Sequence, residues 1–343
     1  MFYEPKIFKN EEALSFEYLP EILPHRENQI QLIAKNIEPV ARKRKPQNTF
    51  IFGPPGIGKT AVTKFVFREF EENYSNAKTI YINCWSYNTS IAILSKICED
   101  LQIYVQRRGW AKDEILKRLI EALNKSDKGI VVALDEVDQL IFKDSNALYD
   151  LLRINQYVKN PFGLIFISNN PFIFSKVEPR IKSSLAIEEI EFKPYNLEEM
   201  KDILEERAKL AFYAFENGVI LLASNHAMRK GGDVRVGLEV LMKAGRIAEE
   251  EKENKVKVEH AKKILEEVTK VKPKILEEKL NEHEKKILEI LEEKELSFRE
   301  LYLKYSQSID NPVTERMLRN YLKHLQEINL IKILKTKGLV KKY

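Results

Sequence analysis

Eight consecutive residues, Gly53-Pro54-Pro55-Gly56-Ile57-Gly58-Lys59-Thr60, carry the spacing G-x-x-x-x-G-K-[ST]. At average residue usage the pattern arises by chance in about one chain per hundred. Between a strand and a helix, such a loop turns its backbone N–H groups and the helix N-terminus toward anionic phosphates. The expected cradle is Gly56, Ile57, Gly58, Lys59, Thr60, Ala61 and Val62. Lys59 would reach the β- and γ-phosphates of a nucleotide, and Thr60 would hold Mg²⁺. This chemistry calls for a second motif, an apolar strand ending in a carboxylate. Ile130-Val131-Val132-Ala133-Leu134-Asp135-Glu136 supplies it. Asp135 would support the metal beside Thr60, and Glu136 would orient and activate an attacking water. Asn169, after the apolar run Phe166-Ile167-Ser168, reads either as an amide beside the γ-phosphate or as a turn residue. Arg235, behind the N-cap candidate Asp233, either reaches the phosphates or is a surface charge.

These residues need a scaffold. The chain has 343 residues, 44% hydrophobic and 32% charged, which excludes a disordered chain and provides for two or three domains. Low glycine and proline, 12 and 13, exclude collagen-like or linker-dominated architectures. Two cysteines, Cys84 and Cys98, make no disulfide framework or zinc site and fit a reducing cytoplasm. No apolar run approaches the ~20 residues of a membrane span, and the first residues lack a signal-peptide apolar core. Apolar runs at Thr49–Phe52, Lys78–Asn83, Gly129–Leu134, Gly163–Ser168 and Ile190–Phe192 alternate with helical stretches such as Lys59–Tyr74 and Asp113–Asn124. That alternation predicts an α/β fold with a parallel five-stranded sheet over residues 1–192. From Asn196, spaced from Glu199 like a capping box, the pattern is helical, giving an all-helical unit over 193–272. Pro273 opens a third unit, 273–343.

The third unit reads as a winged helix. Ser297 and Glu300 form a capping box before one short helix, and Pro312-Val313-Thr314-Glu315 opens another. The latter has an apolar stripe of Leu318, Leu322 and Leu325. Its other face carries Arg316, Arg319, Asn320 and Lys323, suited to phosphates and base edges in a major groove. Ile331–Lys335 and Leu339–Lys342 predict a hairpin wing that carries Lys335 and Lys337. Residues 296–343 hold ten lysines and arginines against four acids, a net +6, whereas the whole chain is +5. That localisation favours DNA, with a protein-contact role as the alternative. The run Arg42-Lys43-Arg44-Lys45 reads as a solvated helix end.

GPPGIGKT, LDEVD (Leu134–Asp138), ISNN (Ile167–Asn170), EPRIKSSL (Glu178–Leu185) and GGDVR (Gly231–Arg235), taken together, resemble the AAA+ ATPase superfamily. With PHRENQI (Pro24–Ile30) and FKPYNLEEMKDIL (Phe192–Leu204), the chain resembles the archaeal initiator family related to the origin recognition complex. The resemblance implies an AAA+ base, a helical lid and a winged helix, with ATP or ADP and Mg²⁺ between base and lid. It implies that Asn169 senses the γ-phosphate, that Arg235 is the lid's sensor arginine, and that Tyr195, Arg207, His25 and Arg26 line the nucleotide. Arg180 is the implied finger toward a neighbouring subunit's site. The family's DNA-touching insertion falls at Tyr104–Trp110, with Arg107, Arg108 and Trp110 as contacts; the residues alone read equally as a solvated turn with one anchoring tryptophan. The implied protein is a slow ATPase of the cytoplasm and nucleoid that binds double-stranded origin DNA and helps load the replicative helicase, alone or with a second copy or paralogue. Two further readings use the same scaffold: an ATP-switched transcription regulator, and a signalling ATPase whose winged helix serves protein contacts.

Overall fold

The computed structural model describes residues 7–105, 109–266, 280–292, 296–309, 312–327, 331–334 and 339–342. Arg107, Arg108, Lys335 and Lys337 lie outside the described residues. The chain forms two compact units, 1–261 and 262–343. The base and the lid as far as Ala261 therefore belong to one unit, and the expected boundary at 272 falls outside the described residues.

The base is a parallel sheet of β1 (Asn48–Phe52), β2 (Ala77–Asn83), β3 (Gly129–Asp135), β4 (Phe162–Ser168) and β5 (Ile187–Glu191), in the order β2-β3-β4-β1-β5. Every residue of β3 and β4 is buried. Helices cover both faces of a parallel sheet, so central strands carry unbroken Val, Ile, Leu and Phe. The fifth strand runs Ile187–Glu191 and not Ile190–Phe192, because only Ile190 of this edge strand is buried and Glu188, Glu189 and Glu191 break its apolar run. Its apolar signal was therefore displaced toward Phe192. The helices of the base are α1 (Glu27–Ile37), α2 (Lys59–Asn73), α3 (Ser90–Asp100), α4 (Lys112–Lys125), α5 (Val137–Asp144), α6 (Asn146–Arg153) and α7 (Pro179–Leu185). Phe174 seals one side of the core, its ring edge-on to Phe50 at 4.8 Å and to Phe166 at 5.4 Å.

The strand order positions the chemistry. Because β4 lies between β1 and β3, the segments leaving these three strands emerge side by side on one sheet edge. Those segments carry the glycine-rich loop, Asn169 and the Asp135-Glu136 pair. A crevice at the carboxyl ends of parallel strands is where ligands bind in such sheets.

The lid consists of α8 (Leu197–Ala211), α9 (Asn217–Arg229), α10 (Val234–Glu250) and a helix over 258–266, α11. Asn196 and Glu199 exchange backbone-to-side-chain hydrogen bonds of 2.9 Å, the capping box that starts α8. The N-terminal segment joins the lid: Lys9 N–H donates to Ala211 O at 2.7 Å, Tyr213 N–H to Ile7 O at 3.1 Å, and Phe8 pairs with Phe212. Its apolar residues Ile7, Ala13 and Leu14 are buried, which is why a segment assigned by sequence order to the base packs with helices two hundred residues away.

In the second unit, α12 (Glu282–Glu292), α13 (Phe298–Gln307) and α14 (Glu315–Glu327) accompany an antiparallel sheet of β6 (Leu296–Ser297), β7 (Ile331–Leu334) and β8 (Leu339–Lys342), ordered β6-β8-β7. Leu318, Leu322 and Leu325 enter its core with Ile287, Leu301 and Tyr305. Among the described residues no helix is long and apolar enough to cross a membrane.

Candidate nucleotide-binding site

Lys59 opens α2 directly behind Gly58, which adopts a left-handed φ of 91°. Only 7% exposed, its ammonium donates to Gly53 O at 2.8 Å, Pro54 O at 2.6 Å and Asn169 Oδ1 at 2.8 Å. Burial pulls its pKa down to about 8, with Asp135 and Glu136 opposing the shift. The positive charge is thus kept close to its loop but poorly solvated, a state that an arriving anion relieves.

Asp135 ends β3 with its carboxylate held at both oxygens. Oδ2 accepts from Thr60 Oγ1 at 2.5 Å and from Tyr81 OH at 2.7 Å, and Oδ1 accepts from Glu136 N–H at 2.8 Å. Glu136 follows in a left-handed conformation, φ 53°. Burial first, then Asp135 and Asp138, push its carboxyl above the usual range. Asn169 Nδ2 donates to its two oxygens at 3.4 and 3.3 Å, so one amide spans Lys59 and Glu136. Among the described residues no group of three or more His, Cys, Asp or Glu is arranged to hold a metal. Thr60 and Asp135 instead provide two hard oxygen donors beside a phosphate cradle. That set fits Mg²⁺, which completes its shell with phosphate oxygens and water.

The lid reaches the same loop. Val234 N–H, at the start of α10, donates to Gly56 O at 3.1 Å. Gly56 has φ +72°, and a Cβ there would overlap the Asp233 carboxylate, so only glycine lets the lid seat so closely. Asp233 caps α10 and also holds Arg235, whose Nε and Nη2 donate to it at 3.0 and 2.9 Å. Arg26, buried, donates through Nη2 to Ile57 O at 3.1 Å and to Lys193 O at 2.9 Å, with its guanidinium 3.8 Å from the Tyr195 ring centroid. His25 Nε2 pairs with Asp202 of α8 at 2.9 Å.

Other expected residues sit elsewhere. Arg207 spends its guanidinium on the carbonyls of Ala13 and Ser15, the latter at 2.6 Å, tying the N-terminal segment to α8 instead of facing the loop. Burial forced this choice, since a cation there needs carbonyl partners. Arg180 lies exposed on α7, paired with Glu178 at 2.7 Å and 5.3 Å from the Tyr149 ring. Trp110 packs against the base core with Arg118 at 5.8 Å over its ring, an anchor by its surroundings. Arg316, Arg319, Asn320 and Lys323 are exposed on α14. Tyr81 was not foreseen as a site residue. The signal was its place between the buried Ile80 and Ile82, which turns it away from their core by the two-residue period of a strand.

Comparison with known proteins finds matches over both the base and the lid. Residues 42–172 match the AAA domain family, and residues 201–264 match the Cdc6 AAA+ ATPase-type lid domain. The chain is 41% identical over 266 residues to ORC1-type DNA replication protein 1 of Archaeoglobus fulgidus, a match covering 76% of this chain and 65% of that protein. The first relatives are thus matched over just under two thirds of their length. The ORC1-type DNA replication protein of Thermococcus kodakarensis is 35% identical over 348 residues, covering 95% of this chain and 84% of the relative. Among solved structures, the Aeropyrum pernix ORC1 protein in complex with DNA superposes with a TM-score of 0.71 at 30% identity, covering 98% of this chain and 94% of that one.

Proposed function

The chain belongs to the family of ORC1-type DNA replication proteins, and on that premise we propose that it is an ATP-switched initiator that binds double-stranded origin DNA and helps load the replicative helicase. The observation that supports this reading is the meeting of base and lid on one loop. Val234 bonds Gly56, Asp233 packs on it, and Arg26 ties Ile57 to Lys193. A ligand on that loop is felt at once by the lid.

Nucleotide is held between base and lid. Lys59 meets the phosphates, and the backbone from Gly56 to Val62 cradles them. Mg²⁺ at Thr60 and Asp135 neutralises phosphate charge when bound. Glu136, its carboxyl raised by burial, takes the proton of the attacking water more readily than an ordinary carboxylate. Asn169, bonded to both Lys59 and Glu136, couples occupancy at one to the orientation of the other. Arg235 exchanges Asp233 for the nucleotide, so the lid angle follows nucleotide state, a two-state coupling. Turnover to ADP and phosphate is slow, because a switch needs a long-lived bound state.

The second unit acts as a winged helix. Arg316, Arg319, Asn320 and Lys323 approach the major groove, with Lys335 and Lys337 on the wing. Arg107 and Arg108 add backbone contacts from the insertion that Trp110 anchors. Arg180 completes the site of a second copy or paralogue on DNA. The protein works in the cytoplasm at the nucleoid.

The test is retention of the organism's own genomic fragments by the purified protein, with ATP and with ADP, across a salt series. Selective retention of one or a few origin fragments is expected, with log K falling linearly in log salt. Retention of scattered promoter fragments would instead identify a transcription regulator. No DNA binding in either nucleotide would make the second unit a protein-contact module and the initiator reading wrong.

A further inference from the structure

The Asp135 carboxylate has one partner that no phosphate-loop motif requires. Tyr81 OH donates to Oδ2 at 2.7 Å, the same oxygen that accepts the Thr60 hydroxyl at 2.5 Å. Tyr81 stands on β2 opposite Ala133, two residues before Asp135, so the strand period sets both side chains on one face of the sheet. Over the face of its ring lies Lys64, exposed on α2 one turn beyond Thr60, with Nζ 4.5 Å from the ring centroid. A cation over the face of a phenol draws on its π density and sharpens the O–H as a donor.

A carboxylate left to itself rotates over a broad, two-fold torsion. In this site the Glu136 N–H holds Oδ1 alone, and the Thr60 hydroxyl on Oδ2 is itself a ligand for the metal, so Tyr81 is the one anchor of Oδ2 that the metal does not share. We propose that Tyr81, with Lys64 over its ring, is the positioning residue that fixes Asp135 for the Mg²⁺ accompanying the nucleotide. The proposal rests on the nucleotide reading and adds a residue to it. Outer-shell partners of this kind change metal affinity about 10- to 100-fold.

The experiment is an electron paramagnetic resonance titration of the full chain with Mn²⁺ in the presence of ADP. Tyr81→Phe, which keeps the ring and its packing, should raise the Mn²⁺ half-saturation about tenfold. ADP binding in EDTA should stay at the wild-type value, and the melting temperature should fall only by the few degrees that one lost buried hydrogen bond costs. Lys64→Met should weaken Mn²⁺ by a smaller factor of about two to three, in the same direction. Wild-type Mn²⁺ affinity in Tyr81→Phe overturns the proposal. So does a loss of metal-free ADP binding as large as the loss of Mn²⁺ affinity, which would make Tyr81 a packing residue only. A wild-type protein that binds neither ADP nor ADP-dependent Mn²⁺ overturns the nucleotide reading as well, and is distinguished because the failure precedes any substitution.

Discussion

The phosphate loop and the outer face of α14 both present positive charge, and they hold it in opposite ways. Lys59 is 7% exposed with all three of its protons given to named oxygens. Arg319 has a side chain 66% exposed, 3.9 Å from Glu315 and 4.4 Å over the ring of Phe298. One charge is desolvated and aimed, and it costs the protein a depressed pKa. The other is solvated, and costs almost nothing. Directed chemistry at a phosphate needs geometry fixed beforehand. Attraction to a polyanion needs only charge within about a Debye length, which salt then weakens.

The contrast breaks first at Lys59. Lys59→Ala should weaken ATP binding by about 100-fold or more in a filter assay, since the loop loses its one buried cation. ATP bound as tightly as by wild type would mean that the aimed charge is not where nucleotide sits. Arg26→Ala comes next, because it strands the carbonyls of Ile57 and Lys193. A loss of about 2–3 kcal/mol in denaturant stability is expected, with binding of DNA to the second unit untouched.

A pH series sharpens the comparison without mutation. Phosphate binds the protonated lysine, whose pKa in the free protein is about 8. ADP affinity should therefore be level below pH 8 and fall toward tenfold per unit above it, read by calorimetry from pH 6 to 10. Lys59→Arg should remove that pH dependence, because arginine keeps its proton throughout. The smallest effect belongs to α14. Arg316→Ala or Arg319→Ala should weaken DNA binding a few-fold and lower the salt slope by about 1, with ATP affinity unchanged.

Much of the site could be read directly from the chain because its parts are contiguous. GPPGIGKT and LDEVD each lie on one strand end, and a parallel sheet with β4 between β1 and β3 brings them together. The central strands were legible because burial on both faces leaves unbroken apolar runs, and β5 was misplaced because an edge strand does not. What escaped depends on side chains meeting across the fold. Arg207 finds Ala13 and Ser15 nearly two hundred residues upstream, and no local pattern announces that pairing. Tyr81 looks like any strand tyrosine until β2 is laid in register beside β3. For Trp110 the residues alone left a DNA contact and an anchor open, and its packing against the base core favours the anchor.

The N-terminal segment has a mechanical meaning. Residues 7–15 are stitched to α8 and to α10, the latter through Glu11 and Arg246 at 2.6 Å, whereas Arg26 is fastened to the phosphate loop. The chain consequently crosses between base and lid twice, once between 15 and 26 and once at 192–196. Any shift of the lid would therefore carry residues 7–15 with it and be taken up by the two crossing segments.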